Sequence, residues 1–165
     1  QHAAHERILF DDLTMKYQNK EVKPQPLLIP IIFEVSKSDG LLLSSYLDEF
    51  SKVGFLIEPF GKNSFAVKEV PDILLGYDYK TVVHDIISEL MFLNKAADIN
   101  EKVSGLIKLI ACKGAIKANR RLSNDEILKL LHDMAATDFP TNCPHGRPVV
   151  IELTEKDIKK MFKRI

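Results

Sequence analysis

The sequence predicts an α/β fold with more helix than strand. Three observations carry this. Several long segments repeat apolar residues at helical spacing, one apolar run is broken by a proline, and two strand-like runs flank the turn-rich Gly61-Lys62-Asn63-Ser64. At 165 residues the chain can bury a core as one ordinary domain or as two small lobes.

Residues 2 to about 17 place Ile8, Leu9, Leu13 and Tyr17 along a loose stripe, as an amphipathic helix does. Four positions separate His2 from Glu6, so imidazole and carboxylate leave one helix face a turn apart, with Asp11 beyond them. Glu6 is read as an exposed helix position. Residues 18–26 carry Asn19, Lys20, Pro24 and Pro26 and form a linker. Leu27 to Val35 is a buried strand whose Pro30 belongs at an edge or a bulge. Ser38 caps a helix from about Asp39 to Val53 with Leu43, Leu47, Phe50 and Val53 inward, and Gly54 ends it. Residues 55–60 and 65–70 pair as a hairpin, followed by a connector at 71–76.

Two helices come next. The first, from about 78 to 93, turns Val82, Val83, Ile86, Ile87 and Leu90 inward; the second, from about 100 to 118, does so with Val103, Leu106, Ile107 and Ile110 and carries Cys112 at or near its end. Lys108, Lys113, Lys117, Arg120 and Arg121 form a short basic run, which is either a solvated face or a track for phosphates. Ser123-Asn124-Asp125-Glu126 is a capping box for a helix to about Ala136, and Thr154 to Asp157 opens the last helix in a similar way. Between them lie the tight turn Cys143-Pro144-His145-Gly146-Arg147-Pro148 and a strand from Val149 to Leu153.

Composition excludes more than it selects. The 23 basic residues balance 23 acidic ones, so any nucleic-acid contact must come from a local patch. No run is apolar enough to span a membrane and no charged-then-apolar leader is visible, which makes a soluble intracellular protein the default. Neither a glycine-rich phosphate loop nor a nucleophilic serine signature is present to support ATP chemistry or acyl transfer. The cysteine pair admits a disulfide. A reducing compartment, and a histidine two residues after Cys143, favour a metal, and the helix and the turn together offer a His/Glu/Cys/His donor set.

Four segments then carry a resemblance. Gln1-His2-Ala3 with Glu6 and Asp11, Ala111-Cys112-Lys113, Cys143 to Pro148, and Phe162-Lys163-Arg164 occur in the order of four motifs. Those motifs are Asp-Gln-His-Ala-x-x-Glu-x-x-x-x-Glu, Ala-Cys-Arg, Cys-Pro-His-Gly-Arg-Pro and Phe-x-Arg. The chain thereby resembles the C-terminal endonuclease and dimerisation domain of the MutL family of DNA mismatch repair proteins. The leading Asp of the first motif would precede residue 1, Asp11 is one methylene shorter than the family's Glu, and Lys113 replaces Arg.

The resemblance implies a discontinuous dimerisation and catalytic lobe, 1–23 with 115–165, and an inserted external regulatory lobe, 24–114. Strands ahead of residue 1 and an N-terminal ATPase region would complete the protein. The implied function is nicking of duplex DNA by a metal-dependent endonuclease in a homodimer, in the bacterial cytoplasm at the nucleoid and without membrane attachment. The implied catalytic residues are Glu6, His2 and Asp11, and the metal ligands are His2, Glu6, Cys112, Cys143 and His145. Zinc in a regulatory or structural role and manganese in catalysis are the implied ions. Lys113, Arg147 and Arg164 would face phosphate or anchor the site. Gln25 to Pro30 fits Gln-x-x-Leu-x-Pro, which implies contact with the replication sliding clamp through Gln25, Leu28 and Pro30, and the mismatch recognition protein MutS is a further implied partner.

Two other classes remain open. One is a non-catalytic, zinc-stabilised dimerisation and clamp-recruiting module, to which the Asp11 and Lys113 departures point. The other is a metal-responsive DNA-binding regulator, which would need a basic recognition helix that residues 78–93 do not supply.

Overall fold

Helix α1 (His2–Gln18) runs from the His2/Glu6 pair to the start of the sheet, and it is buried along Ala4, Glu6, Leu9 and Leu13. It belongs to a computed structural model that describes residues 1–74, 79–92, 99–117, 119–137 and 141–164. After α1 come β1 (Pro24–Glu34), α2 (Lys37–Ser44), α3 (Leu47–Lys52), β2 (Leu56–Pro59) and β3 (Ser64–Pro71). A 3-10 turn at Asp72–Leu74, α4 (Tyr79–Phe92), α5 (Ile99–Gly114), α6 (Asn124–Ala135) and α7 (Glu155–Met161) complete the order. The α/β class is as the sequence indicates, with helix predominant.

The sheet is three-stranded and antiparallel in the order β1-β3-β2, so β1 is an edge. Its register with β3 breaks between Pro26 and Ile31, which brackets Pro30. A proline has no N–H for the ladder, and the bulge accommodates it. Strand β1 begins at Pro24, three residues ahead of the expected start, and it is largely exposed rather than buried. The hairpin of β2 and β3 forms where expected, closed by the Phe60 N–H donating to Ser64 O at 2.8 Å.

Three local expectations are corrected. The single helix expected at 39–53 is two helices, because Ser44 and Ser45 donate their hydroxyls back to Gly40 O and Leu42 O, and Tyr46 leaves helical geometry (φ −116°, ψ 0°). Its N-cap is Ser36, whose Oγ accepts from the Asp39 N–H at 3.2 Å, and not Ser38. No strand forms at Val149–Leu153; an isolated bridge pairs Asn142 with Pro148, and Ile151 stands 76 % exposed. A β-prone run without a neighbouring strand to pair with stays irregular. The connector at 71–76 contains the 3-10 turn, and residues 75–78 lie outside those described.

One main core packs the inner face of the sheet against α2 to α5, and Leu13 from α1 lies within it beside Phe50, Val67, Val70, Ile86, Leu106 and Ile110. A smaller cluster of Leu9, Ala111 and Ala115 seals α1 to α5. Small side chains allow this approach: a Cβ on Gly114 would come within 3.1 Å of Leu74 and 3.4 Å of Leu9. Both capping boxes form, at Ser123/Glu126 and Thr154/Asp157, but α6 and α7 bury no residue. Among the described residues no helix is long and apolar enough to cross a membrane.

Leu13 is fully buried whereas Met15 on the same helix is 55 % exposed. Leu13→Ala should therefore lower the free energy of unfolding by about 2–5 kcal/mol in urea titration. Met15→Ala should stay within about 0.5 kcal/mol. Equal effects would mean that α1 does not share the core.

Candidate metal centre

The first turns of α1 face the end of α5 and the Cys143–Pro148 turn, and this juxtaposition gathers donors that are far apart in sequence. His2, Glu6 and Cys112 bring one donor atom each to within 4.8 Å of one another, as do Glu6, Cys143 and His145. Glu6 belongs to both groups. Around one tetrahedral ion, donors bound at about 2.0–2.3 Å stand roughly 3.3–3.8 Å apart, so small adjustments would bring either group to coordinating distance.

Glu6 is 1 % exposed. The expectation of an exposed helix position is thereby corrected: Ala4, Leu9 and Leu13 define the buried stripe, and Glu6 falls on it. One oxygen, Oε1, lies 3.3 Å from His2 Nε2 and 3.7 Å from His145 Nδ1. The other, Oε2, is buried without a hydrogen-bond partner. A buried carboxylate with an unsatisfied oxygen is costly unless a cation or proton compensates it.

The tautomer of His2 bears on this. Its Nδ1 lies 2.9 Å from Ile116 O, and a carbonyl only accepts, so Nδ1 carries a proton and neutral His2 turns its Nε2 lone pair to Glu6. Two acceptors at 3.3 Å repel unless something positive is shared between them. Cys112 sits in the same setting. Burial first, and then the Glu6 carboxylate, push its thiol up to about 11, so the thiol stays protonated near neutral pH until a cation displaces the proton. Cys143 is buried, His145 is partly exposed, and the site opens to solvent on the histidine side. Both cysteines are free thiols. These donors fit a divalent ion: two nitrogens and two sulfurs gather near a buried carboxylate in need of positive charge.

The turn is built to hold its donors. The Cys143 N–H donates to Arg147 O at 2.8 Å, the Gly146 N–H donates to Cys143 O at 2.9 Å, and Gly146 takes φ +82°, a conformation that suits glycine. Arg7 ties the turn to α1 by donating from Nε to Asn142 O at 2.7 Å.

The remaining expected residues sit as follows. Asp11 joins neither donor group; it pairs with Arg7 at 3.0 Å and so orients the residue that anchors the turn. Lys113 faces Glu89 at 3.2 Å and Asp85 at 3.6 Å, and within the basic run Arg120 pairs with Glu126. Arg147 and Arg164 are exposed. Gln25, Leu28 and Pro30 lie on the exposed edge strand, Leu28 being 99 % exposed. His5 and Arg7 are absent from the residues expected at the site. His5 stands three positions from His2, a helical spacing that would have placed both on one side of α1, and its Nδ1 accepts from the Ile116 N–H at 2.8 Å.

The sequence profile of the MutL C terminal dimerisation domain matches residues 1–122. The DNA mismatch repair protein MutL of Halothermothrix orenii is 41 % identical over 164 residues, 99 % of this chain and 26 % of that protein. That of Citrifermentans bemidjiense is 40 % identical over 165 residues, all of this chain and 26 % of its own length, and that of Clostridium tetani is 41 % identical over 168 residues with the same two shares. The chain spans about a quarter of the length of these relatives.

Because Glu6 is buried between two imidazoles, Glu6→Lys should place an unpaired cation in the interior and cost at least about 3 kcal/mol of stability. Asp12→Ala, which loses only the partly exposed pair with Lys16, should cost under about 1 kcal/mol. Urea midpoints measure both, and a Glu6→Lys protein as stable as the wild type would contradict the burial of this position.

Proposed function

This chain belongs to the family of MutL C-terminal dimerisation domains, and from that premise we propose that it is a metal-dependent endonuclease domain that nicks duplex DNA during mismatch repair. The observation that carries the proposal is the shared Glu6: one buried carboxylate stands in two donor groups and has an oxygen without a partner. Structural zinc sites are usually closed by four thiolates and imidazoles alone. A carboxylate in common suits harder ions as well, which favours oxygen-preferring manganese beside thiolate-preferring zinc.

His2 and Glu6 from α1, with Cys112, would hold one ion, and Glu6, Cys143 and His145 a second. A divalent ion bound there would supply a water activated for attack on phosphorus and a positive charge against the phosphodiester oxygens. The protein's own contribution is placement. Ile116 O keeps the His2 Nε2 lone pair directed at the site, and the Arg7 to Asn142 bond keeps the Cys143–Pro148 turn against α1. Exposed Arg147, beside the site in sequence, and Arg164 offer guanidinium groups to a phosphate. Lys113 acts differently, as an anchor of α5 on α4 through Asp85 and Glu89.

The division into lobes follows the same premise: 1–23 with 115–165 dimerises and carries the site except for Cys112, which is contributed by the regulatory lobe, 24–114. Exposed Leu128, Leu131, Val150, Ile151 and Phe162 provide apolar surface in the first of these for a second copy. In the second, Gln25, Leu28 and Pro30 offer a sliding clamp an amide and an exposed leucine on a strand stiffened by prolines. Duplex DNA and the mismatch recognition protein would be the other partners, in the cytoplasm at the nucleoid. A non-catalytic, zinc-stabilised clamp-recruiting dimer is the second reading, favoured by one observation: Asp11 faces Arg7 and not the donor groups.

Glu6→Gln keeps the shape of the side chain and removes its charge. In a polypeptide that carries this domain at the relatives' full length, it should reduce manganese-dependent nicking of supercoiled plasmid by about 100-fold or more. Nicking at the wild-type rate would show that the active site lies elsewhere. Absence of nicking in the wild type, with zinc bound, would leave the non-catalytic dimer as the account.

Gln25→Ala with Leu28→Ala should weaken binding to a purified sliding clamp by about tenfold or more in surface plasmon resonance. Stability should change by only about 0.5 kcal/mol at each exposed site. Unchanged clamp affinity would reduce the segment to an edge strand.

A further inference from the structure

His5 joins neither donor group, although it lies between two residues that do. Its Nδ1 accepts the Ile116 N–H at 2.8 Å, while Ile116 O takes the His2 Nδ1 proton at 2.9 Å. Two imidazoles three residues apart on α1 therefore grip one residue on both sides of its Cα. Chemistry settles the proton positions: a backbone N–H can only donate and a carbonyl can only accept. His5 thus has its Nδ1 lone pair in use and carries its proton at Nε2, whereas His2 carries a proton at Nδ1, so that in its neutral form its Nε2 lone pair is the one turned to the site.

We propose that His5 is a positioning residue that, through the backbone of Ile116, holds His2 in its metal-binding tautomer. The proposal rests on the metal-centre reading above. Free neutral imidazole favours the opposite tautomer, protonated at Nε2, which would turn an N–H towards Glu6 and leave no lone pair there. Ile116 O prevents this only while it stays within reach, and Ile116 lies just beyond α5, in a segment without regular structure to fix it. The His5 bond supplies that fixation. Because Ile116 follows Cys112 by four residues, the same grip holds the end of α5, and with it a thiol donor, against α1. Gln1 reinforces the arrangement by donating from Nε2 to Arg120 O at 2.7 Å. Metal affinity should accordingly depend on a hydrogen-bond acceptor at position 5 and not on a ligand there.

The test compares the wild-type chain with His5→Leu, which removes the acceptor, and His5→Asn, whose Oδ1 takes the place of Nδ1. Long-range proton–nitrogen spectra of the metal-free chain at mildly alkaline pH should show His2 protonated at Nδ1 and His5 at Nε2. In His5→Leu the His2 signature should move towards the Nε2-protonated form, and zinc affinity, from competition with a chromophoric chelator, should fall by about 10–100-fold. His5→Asn should restore both. The proposal is overturned if wild-type His2 is protonated at Nε2, or if folded His5→Leu retains the wild-type signature and zinc affinity. It is also overturned if folded His5→Asn fails to rescue them, which would leave His5 a packing role only. Should His5→Leu fail to fold, the wild-type tautomers and the Asn variant still decide. Zinc affinity that neither Cys112→Ser nor Cys143→Ser changes would instead remove the metal-centre reading, and the tautomers would still decide, separately, whether His5 positions His2.

Discussion

A carboxylate that is 1 % exposed on the second turn of α1 is the constraint on which the rest of the arrangement depends. Taking a charged group out of water costs several kcal/mol, and a fold retains one only where partners compensate it. Here a protonated thiol and two imidazole nitrogens stand beside it and one of its oxygens has no hydrogen-bond partner, so a shared cation is the compensation the arrangement calls for. Everything close to Glu6 serves to bring α1 and α5 together without displacing it. Gly114, Ala111 and Ala115 let the helices approach, Leu9 fills the contact, and Leu13 fastens the far end of α1 into the main core. The site is thus mounted on a closely packed helix pair, while the residues that contact other molecules in the proposed function lie on exposed edges.

Much of this was legible in the sequence where physical signals are local. The apolar faces of α4 and α5, the hairpin around Gly61 to Ser64 and both capping boxes follow from periodicity and turn chemistry, and all are present. Other features were set by long-range partners and could not be read. A strand at Val149–Leu153 needs a neighbour to pair with, and α2 and α3 separate where two serine hydroxyls bond back to carbonyls of α2 within what looked like one periodic helix. Pro30 announced its bulge, but the exposure of β1 depends on its edge position in the sheet.

At the site, the motifs named the donors but not their roles. The spacing of His2 and Glu6 placed them on one face, yet which face is buried is decided by the end of α5 and the Cys143–Pro148 turn, more than 100 residues away in sequence. The same limit applies to Asp11 and Lys113, the two departures from the family's motifs. Each is engaged in an ion pair that braces an element beside the site, Asp11 through Arg7 and Lys113 through Glu89 and Asp85. A shorter carboxylate and a lysine can meet such anchoring demands. His5 carries no motif signal, since its partner is a backbone N–H that sequence does not display.

One buried carboxylate, two thiols and two imidazoles would together hold the divalent ions of the proposed site. Zinc K-edge X-ray absorption on the zinc-loaded chain tests it most directly. The account requires sulfur scatterers at about 2.3 Å alongside nitrogen or oxygen at about 2.0 Å, with the sulfur contribution reduced in Cys143→Ser. A shell of nitrogen and oxygen alone, or a spectrum that Cys143→Ser leaves unchanged, would contradict it.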